Sequence, residues 1–339
     1  WIGDVGDGTH CFILWDTKLM INTWSIPDKV EDLYPKRALE LEKSRRTLVD
    51  YFLKNKFELI NPSMIEFADN VSFSGESVDS DMFKIPDPLT GRLIGITPDL
   101  TIQTARVDNY LSTSASDIRR YCYCGSVLKT NTNLFNQSRE ELQVGVEIYG
   151  NDKIDADIDV VNTLIKSFKL LKLNNILLSF NDISIYTEFL NSLGLSSFDS
   201  PQLRALFAKK DTVSIIETLQ QNLTKVKIDK IKKFLTIYGD NNALKELAEL
   251  FTGNVKVMQI IKNIKNIVKS LPNGTDYIID VSDVDCYEYH SGLIFSAYSA
   301  KYTSALAKGG RFENLTSNFG KKRPAVGFTF DLRRLLFIG

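Results

Sequence analysis

ELQVGVEIY, at residues 141–149, alternates large apolar side chains with polar or small ones along its whole length. A period of two residues is typical of a β-strand with one face against a core. RRYCYCGSVL, at residues 119–128, alternates in a similar way and places Cys122 and Cys124 on one face. The polar stretch 129–140 joins the two runs as a long loop. We therefore predict that the two runs form a pair of antiparallel strands.

Further elements follow on both sides of this strand pair, and they are mostly not in strand–helix–strand alternation. Apolar residues at helical spacing predict helices at 36–55 and 155–172 and from Leu100 onward. Predicted strands lie at 57–60, 83–97 (a hairpin around Asp87-Pro88-Leu89-Thr90-Gly91), 176–180, 277–281, 293–298 and the start of 324–337. This order predicts an α+β fold with an antiparallel sheet flanked by helices.

Residues 183–272 differ in composition from the rest of the chain. They are rich in Leu, Ile and Lys and repeat every three to four residues, which predicts a helical insertion. The predicted core is then formed by residues 20–182 and 273–339. We interpret residues 1–19 as an upstream extension or an expression remnant, because Met20 makes a natural start. A β-hairpin in residues 1–19 is the alternative.

The composition argues against several classes of protein. Lys+Arg 41 against Asp+Glu 42 give a formal net charge of -1, so the basic surplus typical of nucleic-acid-binding proteins is missing. Four cysteines without a CxxC pair, and two histidines, argue against a zinc site. No apolar run is long enough for a membrane helix, and the start of the chain is a poor signal peptide. These features predict a cytoplasmic protein without a metal or a cofactor.

Four polar clusters stand out as candidate binding residues. They contain Asp99 and Thr101; Gln143 and Glu147; Tyr289 and His290; and Arg311 with Phe312. Gln143 and Glu147 are four residues apart on a strand and so share a face. A carboxylate in the apolar run around Glu147 needs a partner, which could be a ligand ammonium group or an internal Lys or Arg. Gly309-Gly310 permits a close approach of the backbone.

Seven segments together resemble a known family. They are TWSIPDKVEDLYP (23–35), GITPDLTIQTAR (95–106), YCGSVLKT (123–130), ELQVGVEIYG (141–150), YEYHSGLIFSAY (287–298), KGGRFENL (308–315) and RPAVGFTFDLRRLL (323–336). In this order they resemble the core of histidyl-tRNA synthetase, a class II aminoacyl-tRNA synthetase. They resemble its paralogue family, the regulatory subunits of ATP phosphoribosyltransferase, still more closely.

The resemblance implies a six-stranded antiparallel sheet, a dimer and a binding site for histidine. In that site an acid and a threonine matching Asp99 and Thr101, with Gln143 and Glu147, would hold the ligand ammonium group. The histidine-binding residues implied in this way are Asp99, Thr101, Lys129, Gln143, Glu147, Tyr289, His290, Arg311 and Phe312. His290 and Phe312 line the imidazole side, and Phe312 lacks the hydroxyl of the tyrosine that the synthetase has there.

Departures from the synthetase pattern predict that the chain has no catalytic residues. Asp285 replaces an arginine that would neutralise charge during activation, and this exchange removes electrostatic stabilisation of a developing phosphate anion. Lys129 replaces the forked arginine of the second motif. Asp331 and Arg333 stand where the third motif, whose arginine matches Arg334, has Gly and Glu. The anticodon-binding domain expected after this motif is missing from the sequence.

The resemblance also implies a partner. A regulatory subunit of this kind would assemble with the short-form catalytic subunit of ATP phosphoribosyltransferase, which joins ATP and phosphoribosyl pyrophosphate in the first step of histidine biosynthesis. It would promote catalysis and carry feedback inhibition by histidine, its allosteric ligand, without binding tRNA or a membrane. The alternatives are a truncated or divergent histidyl-tRNA synthetase-like enzyme and a tRNA-sensing module.

Overall fold

The structure is a computed structural model, and it describes residues 25–72, 76–130, 138–284, 286, 289–302 and 304–336. The predicted extension at residues 1–19 lies outside this range. In the part of the chain that the structure describes, no helix is both long enough and apolar enough to cross a membrane.

The helices cover both faces of a central sheet and fill the segment between two of its strands. Their bounds are α1 (Pro35–Lys54), α2 (Asp69–Ser72), α3 (Glu76–Ser80), α4 (Leu100–Leu111), α5 (Ile154–Leu170), α6 (Ile183–Leu193), α7 (Pro201–Ala208), α8 (Thr212–Leu219), α9 (Lys225–Leu235), α10 (Asn241–Leu250), α11 (Val255–Ser270), α12 (Asn314–Ser317) and α13 (Leu332–Leu335).

The strands form a large sheet and a small one. Their bounds are β1 (Glu58–Leu59), β2 (Ile65–Phe67), β3 (Phe83–Pro86), β4 (Leu93–Ile96), β5 (Arg119–Leu128), β6 (Glu140–Tyr149), β7 (Ile176–Asp182), β8 (Tyr238–Gly239), β9 (Asp276–Asp280), β10 (Leu293–Ser299), β11 (Ala307–Arg311) and β12 (Ala325–Asp331).

The large sheet has nine strands in the order β1-β5-β6-β12-β11-β10-β7-β9-β8. Its six central strands, from β5 to β7, are antiparallel throughout, so the α+β prediction and the six antiparallel strands are confirmed. The sheet as a whole is mixed, because β1 pairs with β5 in parallel and β9 pairs with β7 in parallel. A parallel neighbour needs a long crossover, and the helices α6–α11 supply one between β7 and β9.

The small sheet has the order β2-β4-β3 and contains the predicted hairpin. Its turn accommodates Gly91 at a φ of 71°, a conformation that glycine adopts without strain. This sheet leads directly into α4, so it sets the position at which α4 begins.

The segment from α6 to α11 is helical apart from the two-residue strand β8. Phe189 and Phe234 stack in its core, with ring centroids 4.1 Å apart. The same core continues into Ile279 and Val281, at the end of β9. The predicted division of the chain at residue 272 therefore stays a prediction, because one apolar core extends across it.

The two faces of the large sheet pack differently. On one face, Val144, Val146 and Ile148 of β6 lie in an apolar core with residues of α1 and α5. On the other face, the side chains of β6 point toward α4, which carries polar residues at its start. We call this second surface the site face.

Candidate functional site

The site face of β6 carries Gln143, Gly145, Glu147 and Tyr149, in alternation with the valines of the core. Gln143 and Glu147 are 2% and 1% exposed, so both are removed from water. The alternation read from the sequence therefore places both on one face, as predicted. A buried amide and a buried carboxyl group need partners in the structure.

Glu147 takes its partners from tyrosines. Its Oε1 accepts a hydrogen bond from the Tyr123 hydroxyl at 3.1 Å, and its Oε2 accepts one from the Tyr149 hydroxyl at 2.5 Å. Burial raises the pKa of Glu147 from 4.5 to about 8, and the nearby charge of Asp99 adds to the rise, while the tyrosine hydrogen bonds oppose it. The carboxyl group of Glu147 is therefore mostly protonated at neutral pH in the ligand-free chain and ionises at mildly alkaline pH.

Asp99 lies at the start of α4 as its N-cap residue. Its side chain accepts a hydrogen bond from the backbone N–H of Thr101, at 3.2 Å, and one from the Tyr289 hydroxyl, at 2.8 Å. Burial raises the pKa of Asp99, and the bond from Tyr289 and the charge of Lys129 partly offset the rise. The cap thus fixes the carboxyl group at the helix end that faces Glu147.

Gln143 and Thr101 complete this part of the site. The backbone N–H of Leu100 donates to Oε1 of Gln143 at 3.0 Å, so β6 directly anchors the start of α4. The Thr101 hydroxyl lies 3.4 Å from the hydroxyl of Tyr123, which also contacts Glu147. The structure thus brings Asp99, Thr101, Gln143 and Glu147 together, as the sequence predicted.

Two glycines leave the sheet open beside this group. Gly327 of β12 pairs with Glu147 and with Gly310 of β11. A Cβ atom on Gly327 would lie 2.7 Å from Cγ of Glu147, and one on Gly310 would lie 2.7 Å from Cδ2 of His290. Glu147 and His290 therefore extend over adjacent glycines, and any larger residue there would displace them.

Three rings form the adjoining wall of the site. Tyr289 stacks on His290 with centroids 4.9 Å apart, and Phe312 meets Tyr289 edge-on at 5.9 Å. Tyr149 also meets Phe312 edge-on, at 5.9 Å, which connects this wall to the partner of Glu147. Tyr289 is thus both a ring of the wall and the donor to Asp99. An aromatic wall beside buried carboxyl groups suits a small ligand that has a ring and a cationic group.

Neither carboxyl group of the site has a basic partner within the described residues. The ion pairs among the described residues do not include Asp99 or Glu147, and the hydrogen bonds shown for both come from hydroxyls and the backbone. Lys129 lies near but pairs with Glu141, at 2.8 Å. Two buried acids of this kind favour a cationic group between them, because each is costly to ionise alone.

Comparisons with known proteins identify the family of the chain. A family model described as "Histidyl-tRNA synthetase" matches residues 29–335. The ATP phosphoribosyltransferase regulatory subunit of Thiobacillus denitrificans is 31% identical over 321 residues, which cover 94% of this chain and 99% of that protein. The one from Paracidovorax citrulli is 32% identical over 319 residues, which cover 94% and 82%. This chain belongs to the histidyl-tRNA synthetase-like family of ATP phosphoribosyltransferase regulatory subunits.

Solved structures support the fold of this family. A structure described as an ATP phosphoribosyltransferase regulatory subunit/histidyl-tRNA synthetase from Bacillus halodurans C has a TM-score of 0.81 at 20% identity, covering 93% of this chain and 83% of that one. A histidyl-tRNA synthetase from Nostoc sp. has a TM-score of 0.76 at 16% identity, covering 93% and 74%. The family membership confirms the interpretation of the chain as a regulatory subunit and not a catalytic one.

The structure corrects one of the predicted site residues, Arg311. Arg311 follows Gly310 on β11 and so points to the opposite face of the sheet. There its Nε lies 2.7 Å from Oδ1 of Asp157, and its Nη groups donate to the backbone carbonyls of Asn151 and Lys153. The guanidinium thus holds the start of α5 in place, and the structure does not bring it to Asp99 and Glu147.

The third motif of the family has structural roles in this chain. Asp331 accepts hydrogen bonds from the backbone N–H groups of Leu142 and Arg333, both at 3.0 Å. Arg333 pairs with Glu140 at 2.7 Å. Arg334 donates to the backbone carbonyls of Ser304 and Ala305. Asp285, the other departure from the synthetase, lies outside the described residues.

Sequence reasoning missed several residues of the site. Tyr123 and Tyr149 supply the hydrogen bonds to Glu147, and Gly327 provides the open surface beneath it. The alternation of β5 and β6 puts these tyrosines on the site face, so the signal was present. The pattern of a single strand does not show which acceptor these hydroxyls reach, because that depends on packing between strands.

Proposed function

We propose that this chain binds histidine on the site face and thereby regulates the short-form catalytic subunit of ATP phosphoribosyltransferase. The relatives named above are regulatory subunits of that enzyme, which supports an assembly with a catalytic partner. The proposed complex acts in the cytoplasm, contains the chain as a dimer, and does not use tRNA.

The observation that carries the proposal is the pair of buried acids, Asp99 and Glu147. Both are 1% exposed, and burial raises the pKa of each. An ammonium group between them would compensate their charge and donate hydrogen bonds to the carboxyl oxygens, at the lone pairs that the hydroxyls leave unused. An α-amino acid supplies such a group, whereas an anionic ligand would be repelled.

The aromatic wall supports histidine as the amino acid. His290, Tyr289 and Phe312 present ring faces and edges within 4.9 to 6.5 Å of one another. An imidazole ring would stack or pack edge-on against such rings. Phe312 offers no hydroxyl to the imidazole, so selectivity would depend on His290 and on the shape of the wall.

The contacts of Tyr289 suggest how binding is transmitted. Tyr289 joins the segment before β10 to Asp99 at the start of α4, through one hydrogen bond of 2.8 Å. A ligand that competes for Asp99 would change this bond and with it the relation of the two segments. Histidine would then favour one state of the complex by its differential affinity for the two states.

The test is a reconstitution. The full chain is mixed with a short-form catalytic subunit, and the rate of formation of the phosphoribosyl-ATP product is measured with and without histidine. The proposal predicts that the chain raises the rate and that histidine lowers the rate of the complex. A partner whose rate does not respond to the chain would refute it.

The histidyl-tRNA synthetase family model also motivates a second candidate, an enzyme that activates histidine. Histidine-dependent exchange of pyrophosphate into ATP decides between the two. Exchange by the chain alone would favour the enzyme. The engagement of Lys129 by Glu141, and of Arg334 by the 304–305 backbone, argues for the regulatory subunit.

A further inference from the structure

We propose that lysines at the C-terminal ends of α5 and α11 form a docking surface for an acidic face of the catalytic partner. We call it the lysine surface, and its residues are Lys166, Lys169, Lys172, Lys262, Lys265 and Lys269. The inference rests on the proposed function, because it takes the partner to be an ATP phosphoribosyltransferase catalytic subunit. It assigns the place at which the two proteins meet, away from the histidine site.

The two helices lie side by side, with their C-terminal ends at the same end of the sheet. Five residues separate α5 from β7 and α11 from β9, and these two strands are parallel neighbours. Phe168 of α5 and Ile267 of α11 belong to one apolar core under the helices. Because packed helices lie about 8 to 10 Å apart, their outer faces form one continuous surface.

The lysines lie on that outer face. All six are exposed, whereas the residues between them on each helix are buried or half-buried. On α11, Lys262, Lys265 and Lys269 are three and four residues apart, which places them within about 60° around the helix axis. Lys166 and Lys169 are three residues apart on α5 and so also share a face.

The lysine surface has no acidic residue of its own. Neither Asp nor Glu occurs in α11 or in residues 160–175. Asp159, the nearest acid along α5, pairs with Arg120 at 2.5 Å, and Asp276 comes six residues after α11. Within the described ranges, the ion pairs of lysines involve other positions, such as Lys256 with Glu188. The surface therefore has a strong positive charge without a counter-charge.

The stability of the helices does not account for this arrangement. A lysine in the last turn interacts favourably with the helix macrodipole, and Lys169 and Lys269 lie there. Lys262 and Lys265 lie further from the helix end, and like charges three or four residues apart destabilise a helix. The free chain therefore has an unfavourable repulsion on this surface, and an acidic partner would relieve it.

A protein partner fits the lysine surface better than a nucleic acid does. The two helices offer neither an arginine nor an exposed aromatic ring, the groups that hold phosphates in pairs or stack on bases. The surface also lies opposite the site face, because Val144 and Val146 of β6 point into the core beneath α5. A partner docked there leaves the site face uncovered, so histidine can bind to the assembled complex.

The experiment measures how the rate of a short-form catalytic subunit depends on the concentration of the full chain. The variant carries Lys262→Gln, Lys265→Gln and Lys269→Gln together. Its half-saturating concentration should rise at least about 10-fold at about 0.03 M salt, and no more than about twofold at about 0.5 M salt, where the charges are screened. The rate at saturation should equal that with the wild-type chain.

The matched control neutralises three lysines of α9, with Lys225→Gln, Lys230→Gln and Lys232→Gln. These side chains are exposed and the change in net charge is the same, but Asp229 lies among them and they do not share one stripe. The control should behave as the wild type at both salt concentrations. Thermal unfolding of both triple variants, and calorimetry of histidine binding to each, should match the wild type.

Several results would overturn the inference. Equal half-saturating concentrations for the wild type and the α11 variant at low salt would show that the surface does not meet the partner. An equal rise in the α9 control would show an effect of net charge alone. Unchanged activation with a loss of RNA binding, or with a loss of self-association, would assign the surface to a nucleic acid or to a second copy of the chain. A wild-type chain that does not raise the partner's rate at any concentration would instead refute the proposed function, and the inference with it.

Discussion

Replacing Glu147 by Gln should make the ligand-free chain more stable at alkaline pH while weakening histidine binding. Burial raises the pKa of Glu147 from 4.5 to about 8. A carboxyl group with a raised pKa stabilises the fold fully below pH 4.5, and this contribution is lost as the pH rises to about 8. Gln is neutral at every pH, so the variant keeps the stability that the wild type loses when Glu147 ionises.

The size of the effect follows from the same pKa values. Between pH 5 and pH 8.5 the wild type should lose up to about 4 kcal/mol of unfolding free energy relative to Glu147→Gln, at about 1.4 kcal/mol for each pKa unit. At pH 5 the two proteins should differ by no more than about 1 kcal/mol, the value of a rearranged hydrogen bond. The free energy of histidine binding should become less favourable by about 2 to 3 kcal/mol, because a charged hydrogen-bond partner is lost.

The assay is chemical denaturation at pH 5, 7 and 8.5, with calorimetry of histidine binding at pH 7.5. Glu40→Gln, on the exposed side of α1, is the control and should follow the wild type at each pH. If Glu147→Gln is destabilised by the same amount at every pH, the predicted ionisation of Glu147 does not control stability. Glu147 would then serve only as an acceptor for Tyr123 and Tyr149.

Three further predictions concern the same region. Histidine binding should release protons between pH 6.5 and 8, because the ammonium group of the ligand lowers the pKa of Glu147. Calorimetry in buffers of different ionisation enthalpy measures this proton release. The same binding heat in all buffers would contradict it. Gly327→Ala should lower the unfolding free energy by about 1 to 3 kcal/mol and weaken histidine binding, since the new Cβ would lie 2.6 Å from a backbone oxygen. The control Gly292→Ala, whose Cβ would have its nearest neighbour at 3.5 Å, should lower it by less than about 1 kcal/mol. Equal denaturation midpoints for the two variants would contradict this prediction. Arg311→Met should lower the unfolding free energy by about 3 kcal/mol, because it leaves Asp157 buried without its partner, and should not change histidine affinity. Loss of histidine affinity with unchanged stability would contradict this prediction.

The alternation of single strands predicted much of the fold and half of the site. ELQVGVEIY gave the strand, its buried face and the shared face of Gln143 and Glu147, because the side-chain period of a strand is fixed by the backbone. The six antiparallel strands followed from the family resemblance. The edge strand β1 was predicted, at 57–60, whereas the edge strand β8 was missed, since two residues carry too little pattern to be recognised.

The rest of the site depends on contacts between distant segments. Tyr289 and Asp99 meet across 190 residues, and no local pattern indicates that bond. Arg311 was placed in the site by its position in a motif, although its neighbour Gly310 already occupied the site face. Had the strand alternation been applied at β11, it would have assigned Arg311 to the other face.

The most direct test of the account is the histidine dependence of the reconstituted complex with wild-type chain and with Glu147→Gln. The rate of the short-form catalytic subunit is measured over a histidine titration with each protein. We predict that the midpoint of inhibition moves to at least about 30-fold higher histidine with Glu147→Gln, because a charged contact is lost. The same midpoint for both proteins would show that histidine acts elsewhere.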